Sequence, residues 1–298
     1  MGHDGGHLNM TKRMVPMIVF LTLFGFHSVS SIALAAEFKP KVEKSKDNWV
    51  VRGDDWEMES WVKYSATLKL AKQIEKVKRS LTEFFHVRLE VSRILRVIVL
   101  KDEAAFLAYS KNKLGEIFYM QGYYSRDQHE VVLWLHGHMK IALFTLSHEL
   151  THAYLNPSRP VPWIWVNEGI CDYIAAGSVE GGKFEIRVLN SAYLGKIVDA
   201  EKNKTLIALD DLVKDKVYRE GHQQDLQYAE SWYLVYFLME GEWGKYQEPF
   251  LKYLRDSEKD EGLSILSYVN MGEIGRLWLK KLDRLYAKSR KTMRELDE

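Results

Sequence analysis

The His-Glu-x-x-His pattern at residues 148–152 is the part of this 298-residue sequence whose residue types and spacing most directly suggest chemistry. Residues four apart lie one turn above each other on a helix, so His148 and His152 point the same way and can bind one cation. Glu149 lies where its carboxylate can reach a water molecule bound to that cation. Two neutral imidazoles suit Zn²⁺, which needs a third protein ligand if one position is to stay open for water.

The third ligand is predicted to be Glu168, sixteen residues after His152 and within the segment Trp-Val-Asn-Glu-Gly at 165–169. A helix is predicted to begin near Val166, and an antiparallel helix pair joined by a proline-containing loop can bring Glu168 opposite the two histidines. Asp172 lies four residues further on the same face. Its carboxylate can accept a hydrogen bond from the outer nitrogen of a ligating histidine and so fix that ring.

The elements that must position these residues differ between the two halves of the chain. Helices are predicted over residues 64–85, from Asp102 to about Gly115, and over 139–155 and 166–176. Strands are predicted at 96–100, 122–124 and 130–134, with at most a short one at 49–51 in the otherwise irregular stretch 37–61. The C-terminal half is predicted to be mainly helical, over 225–240, 246–256 and 272–289, with a turn at Gly181-Gly182 that indicates a hairpin.

The segment from His148 to Tyr173 resembles the gluzincin clan of zinc metallopeptidases, and particularly its peptidase MA-like domains. The matching positions are the His-Glu-Leu-Thr-His helix, Pro162, the Trp-Val-Asn-Glu-Gly segment and the downstream helix at 228–235. The resemblance spans residues 93–255, and only the zinc segment is strongly specific. It implies an α+β fold: a zincin-like catalytic domain with a small mixed sheet, the zinc helix and a mainly helical C-terminal half. It also implies one Zn²⁺ per chain and a peptide or protein substrate.

The resemblance also suggests roles for individual residues. Glu149 would be the general base of a zinc peptidase. A tyrosine or histidine from a later helix would donate a hydrogen bond to the oxyanion, with Tyr228 as first candidate and His222 as second; Tyr228 is equally consistent with a core aromatic position. The strand at 130–134 is either the edge strand that pairs with an extended substrate or an interior strand. The alternative function is a non-catalytic zinc-binding envelope protein that retains the gluzincin fold, and the intact Glu149 argues against it.

The N-terminus predicts export. Lys12 and Arg13 precede an uncharged apolar run at 14–26, and the small-x-small pattern within Ala-Leu-Ala-Ala at 33–36 predicts a cleavage site. Residues 1–36 are therefore predicted to be a signal peptide, with a periplasmic or extracellular mature protein, or alternatively a signal anchor that tethers it to a membrane. We then expect residues 37–138 to form the N-terminal α/β part of the catalytic unit and residues 139–298 the zinc-site helices and helical C-terminal part.

Overall charge and cysteine content exclude other classes. Lysine and arginine number 42 against 41 acidic residues, so the formal net charge of +1 gives no field that would attract nucleic acid. Cys171 is the single cysteine and cannot form an intramolecular disulfide, and its neighbours predict a buried helix position rather than a nucleophile.

Overall fold

The computed structural model describes residues 38–85, 93–115, 120–135, 137–158, 163–215, 224–257, 259–260 and 262–297, without the side chains of 156–158 and 292–297. The predicted signal segment, Pro162 and His222 lie outside the described residues. The described residues from Phe38 onward pack as one unit. Among the described helices, none combines the length and apolar composition needed to cross a bilayer.

The main sheet has six strands of mixed direction. In chain order these are β1 (Val42–Lys44), β2 (Trp49–Arg52), β3 (Trp56–Ser60), β4 (Leu95–Leu100), β5 (Gly122–Ser125) and β6 (Glu130–Trp134). Their order across the sheet is β1-β2-β3-β4-β6-β5. Strands β3, β4 and β6 are parallel, whereas β1 and β2 at one side and β5 at the other side run antiparallel to their neighbours. The antiparallel edge strand β5 is therefore fixed directly beside the last parallel strand.

The described helices cover both faces of this sheet and build most of the C-terminal half. They are α1 (Tyr64–Phe85), α2 (Glu103–Leu114), α3 (Met139–Ser158), α4 (Ile164–Ala175), α5 (Ser191–Asn203), α6 (Leu209–Leu212), α7 (Gln224–Glu240), α8 (Gln247–Ser257) and α9 (Met271–Asp297). A two-stranded hairpin, β7 (Gly177–Glu180) and β8 (Lys183–Ile186), follows α4. The α+β fold predicted from the sequence is confirmed.

Alternation along the central strands explains the layers. Val97 and Val99 of β4 belong to the core shared with α1 and α3, whereas Ile98 and Leu100 pack with Phe106 of α2 on the opposite face. Because successive side chains of a strand point to opposite faces, one continuous apolar run supplies both layers. Helix α3, which carries the His-Glu-x-x-His pattern, therefore lies against the sheet and is backed by α1.

Two expectations about individual elements need correction, one alternative left open by the sequence is decided, and one helix was missed. Residues 37–61 contain the three-stranded antiparallel meander β1–β3 rather than at most one short strand. Of the two positions considered for the strand Glu130–Trp134, the interior one is confirmed, because it pairs with β4 on one side and β5 on the other, so β5 is the edge strand. Helix α5 was not predicted, and the second motif helix begins at Ile164 rather than near Val166.

Candidate metal centre

One face of α4 meets one face of α3 at the centre of the candidate site. Glu168, Cys171 and Asp172 occupy positions i, i+3 and i+4 of α4, which lie on the same side of a helix. They face His148 and His152, which lie one turn apart on α3. All three α4 side chains contact the imidazoles, at the distances given below.

The three predicted ligand atoms lie at the corners of a small triangle. The two Nε2 atoms of His148 and His152 are 3.1 Å apart. Glu168 Oε2 lies 3.3 Å from the first and 3.5 Å from the second. Bonds of about 2.0–2.1 Å around a tetrahedral Zn²⁺ separate neighbouring ligand atoms by about 3.3–3.4 Å. The three residues therefore fit a tetrahedral zinc ion without rearrangement.

The exposure of these side chains leaves room for a further ligand. His148, His152 and Glu168 keep 16, 13 and 15% of their side-chain surface exposed, whereas Asp172 keeps 2%. The candidate ligand side chains are thus partly accessible to solvent, whereas Asp172 is buried. A site with three protein ligands and a solvent-facing side is typical of a catalytic zinc site rather than of a closed structural one.

The electrostatics of the site favour a positive charge among the ligand atoms. Burial lowers the pKa of His148, but the nearby Asp172 and Glu168 carboxylates outweigh it, so this pKa is raised well above its usual value. Burial raises the pKa of Glu168, but hydrogen bonding to His148 and His152 outweighs it, so that pKa is lowered. A proton or a metal cation would both satisfy this arrangement.

The outer nitrogen of each histidine has its own partner on α4. The Asp172 Oδ1 atom lies 2.7 Å from His148 Nδ1, as the sequence predicted. The Cys171 Sγ atom lies 3.3 Å from His152 Nδ1, a contact that the sequence did not predict. Ligand-type atoms of His148, His152 and Cys171 come within 4.8 Å of one another. However, the sulfur faces Nδ1 of His152, on the side of the ring away from Nε2, so we assign it to the back of the site rather than to the ligand triangle.

Glu149 connects the site to the sheet edge. The pKa of its carboxyl group is raised, chiefly by burial. The adjacent histidines lower this pKa, and the negative charge of Glu168 raises it. The carboxylate also accepts a hydrogen bond from the backbone N–H of Tyr124 in β5. Gly122 lets β5 approach α3 closely, because a Cβ atom there would lie 2.8 Å from Thr145 Cγ2. The edge strand and the candidate base therefore lie side by side.

Two tyrosines lie beside the ligand carboxylates. Burial raises the pKa of Tyr228 to about 12, and the negative charges of Glu168, Asp172 and Glu149 add to the rise. Tyr228 is only half-buried, so it is not the core aromatic that the sequence left open as an alternative. The pKa of Tyr193 in α5 is raised mainly by burial. The negative charge of Asp172 and hydrogen bonding to it raise this pKa further. No sequence signal indicated Tyr193, because its helix was not predicted.

The start of α4 is held by a residue from far along the chain. Trp163 occupies the N-cap position and gives no side-chain hydrogen bond there. Instead, the buried Asp215 carboxylate accepts from the backbone N–H groups of Ile164, at 2.6 Å, and Trp165, at 3.1 Å. These are orphan donors of a helix N-terminus, where a negative charge is also favourable. Asp215 therefore fixes the turn that leads into Glu168.

Gly169, directly after the candidate ligand Glu168, allows α7 to lie close to α4. A Cβ atom at this position would come within 2.6 Å of the Ser231 carbonyl oxygen and 2.7 Å of Val235 Cγ2. Such distances are too short for any side chain, so only glycine permits this approach. Tyr228 lies one turn before Ser231, and the close contact brings it alongside Glu168.

A protein-family model matches part of the chain. The model of a family described as "Protein of unknown function (DUF1570)" matches residues 142–261, which is less than half of the chain. The matched stretch contains the candidate ligand residues of α3 and α4 and also α7, which carries Tyr228. No curated protein shows significant similarity to the chain.

Proposed function

We propose that this protein is an exported zinc metallopeptidase in which His148, His152 and Glu168 hold one Zn²⁺. The observation that carries the proposal is the triangle of ligand atoms, with edges of 3.1, 3.3 and 3.5 Å. These lengths match a tetrahedral zinc site, and the partial exposure of all three side chains leaves the fourth position to solvent.

The surrounding residues supply the remaining functions of such an enzyme. When bound, Zn²⁺ provides a Lewis acid that lowers the pKa of water and polarises a peptide carbonyl. Glu149, whose pKa is raised by burial, is suited to accept a proton from the attacking water and to pass it to the leaving amine. Tyr228, whose pKa of about 12 keeps the hydroxyl protonated, is suited to donate to the carbonyl oxygen as it gains negative charge.

The edge strand β5 supports an extended peptide as substrate. The Trp134 N–H of β6 donates to Gln121 O, and with the pairing register this directs the backbone groups of Tyr123 and Ser125 towards β6. Those of Gly122 and Tyr124 point towards the edge that no described strand covers. The Tyr124 N–H already reaches Glu149. A peptide added along this edge would form main-chain hydrogen bonds and pass beside the candidate base.

The test combines metal analysis with peptide cleavage. Purified protein is expected to bind about one zinc per chain and to cleave members of a peptide library, with products identified by mass spectrometry. The Glu149→Gln variant should keep its zinc and lose cleavage. The matched control is Glu103→Gln, an exposed glutamate on α2 across the sheet, which should cleave like the wild type.

The outcomes separate the two functions considered. Zinc binding without cleavage of any library member would contradict the peptidase and favour a non-catalytic zinc-binding envelope protein. Absence of zinc binding would contradict both. The mass of the mature protein isolated from its native compartment tests export: loss of about the first 36 residues supports signal cleavage, and an intact N-terminus supports a membrane anchor.

A further inference from the structure

Consecutive residues of α4 contact the outer nitrogens of the two candidate ligand histidines. Asp172 Oδ1 lies 2.7 Å from His148 Nδ1, and Cys171 Sγ lies 3.3 Å from His152 Nδ1. The first contact is the familiar carboxylate–histidine pairing of metal sites. The second places a thiol in the equivalent position on the other ring.

The tautomer of His152 determines what this contact does. A ring that offers its Nε2 lone pair to a cation must carry its proton on Nδ1. That N–H is then directed at the Cys171 sulfur, which accepts the hydrogen bond. Cys171 is fully buried and its sulfur lies 3.3 Å from His152 Nδ1, within reach of that N–H.

Among the described residues, the Cys171 sulfur is the one partner found for His152 Nδ1. The other ring nitrogen, Nε2, faces His148 and Glu168. Without the sulfur, an N–H group inside the protein would lose its acceptor, and that loss costs free energy in every state that binds metal through Nε2. The thiol and the carboxylate thus act in parallel, one on each histidine.

We infer that Cys171 is a positioning residue of the metal centre, which holds His152 in the tautomer and ring orientation that bind the cation without itself being a ligand. The inference rests on the proposed zinc site. It assigns the lone cysteine a role in metal affinity, in contrast to the packing role that its sequence context indicates.

Zinc affinity, measured by competition with a chromophoric chelator, tests the inference independently of catalysis. Cys171→Ala should weaken zinc binding about tenfold, the lower end of the effect of removing a partner of a ligating histidine. Cys171→Ser retains an acceptor and should stay within about threefold of the wild type. Ile170→Val, which removes a similarly small group from the same buried turn, should leave the affinity unchanged. If Cys171→Ala does not fold, Cys171→Val replaces the sulfur by a methyl group and carries the same expectation.

Cobalt substitution distinguishes a positioning residue from a ligand. The Co²⁺ form of the wild type should lack the thiolate-to-cobalt charge-transfer absorption that a cysteine ligand produces. That absorption in the wild type, and its loss in Cys171→Ala, would overturn the inference in favour of direct ligation. Equal zinc affinities of the wild type and Cys171→Ala, or equal weakening in the Ser and Ala variants, would also overturn it while leaving the proposed function intact. A wild-type protein that binds neither metal would overturn both.

Discussion

The buried carboxyl group of Glu230 predicts a measurable dependence of stability on pH. Glu230 lies in the middle of α7 and has no exposed surface. One oxygen accepts a hydrogen bond of 3.1 Å from the Ile207 backbone N–H, and Oε2 has no hydrogen-bond partner among the described residues. Burial raises the pKa of Glu230 from 4.5 to about 8, and the Ile207 hydrogen bond offsets only part of the rise.

The sign and size of the effect follow from the two pKa values. Between pH 4.5 and about 8 the folded protein keeps a proton on Glu230 that the unfolded chain has lost. Stability from this group is therefore fully present below pH 4.5 and is lost as the pH rises through about 8. At about 1.4 kcal/mol for each pH unit, the loss reaches about 3 kcal/mol at pH 7 and about 5 kcal/mol above pH 8. This is a large fraction of the total stability of a typical domain.

Glu230→Gln isolates the contribution of Glu230 to the pH dependence of stability. The amide resembles the protonated acid in shape and keeps the acceptor for the Ile207 N–H. The free energy of unfolding of both proteins would be measured by urea denaturation at several pH values, with chelator present so that metal binding does not contribute. We expect the variant and the wild type to differ little near pH 5 and the variant to be more stable by about 3 kcal/mol at pH 7.

Subtraction at each pH removes the titrations that the two proteins share, so the difference reports Glu230 alone. A difference that is the same at pH 5, 7 and 8.5 would refute the reasoning. At pH 8.5 the reasoning has the wild type burying an ionised Glu230 without a counter-ion, so the wild type should be the less stable protein. A variant that is less stable than the wild type at this pH would therefore also refute the reasoning.

Three further predictions concern the elements that hold the site. Asp215→Ala should lower the free energy of unfolding by about 1–2 kcal/mol, because two N–H groups at the start of α4 lose their acceptor, and it should weaken zinc binding; denaturation and chelator competition measure both effects. Gly169→Ala should destabilise the protein by about 1–3 kcal/mol in urea, because its Cβ would collide with α7. Tyr228→Phe should reduce kcat for peptide cleavage about 100-fold, with zinc content unchanged, if its hydroxyl stabilises the developing oxyanion.

Each of these predictions has its own control. Asp215→Asn keeps one acceptor oxygen and should cost less than the alanine variant; equal costs would speak against the capping role. Gly275→Ala lies in α9, where a Cβ would meet only an ordinary contact at 3.6 Å, so it should not destabilise the protein. A kcat of Tyr228→Phe equal to that of the wild type would exclude this tyrosine and make Tyr193 the next candidate donor.

The sequence predicted the features that depend only on residues close together in the chain. The apolar stripe of α1 predicted its ends at Tyr64 and Phe85, and Asp102 was identified as an N-cap, which the structure confirms by its side-chain hydrogen bond to Ala105 N. The shared face of His148 and His152 was likewise predicted from spacing on one helix. Glu168 was predicted to lie opposite them on the next helix, and the structure brings the three side chains together.

Other features depend on tertiary contacts and left weaker signals. The meander strand β3 alternates buried Trp56 and Met58 with glutamates, but the many charges in residues 37–61 obscured this period. The contact between Cys171 and His152 depends on how two helices pack, and the contact between Asp215 and α4 joins residues 50 apart in sequence. Spacing within one element carries no information about such partners.

The hydrogen bonds between Asp215 and the start of α4 have a consequence for the order in which the protein folds. Both histidines and Glu168 leave the ribosome well before Asp215, which follows Trp165 by 50 residues. Until that later segment docks, the first turn of α4 lacks the acceptor for its Ile164 and Trp165 N–H groups. We therefore expect a metal to bind at the proposed site only after this part of the chain has been synthesised and folded.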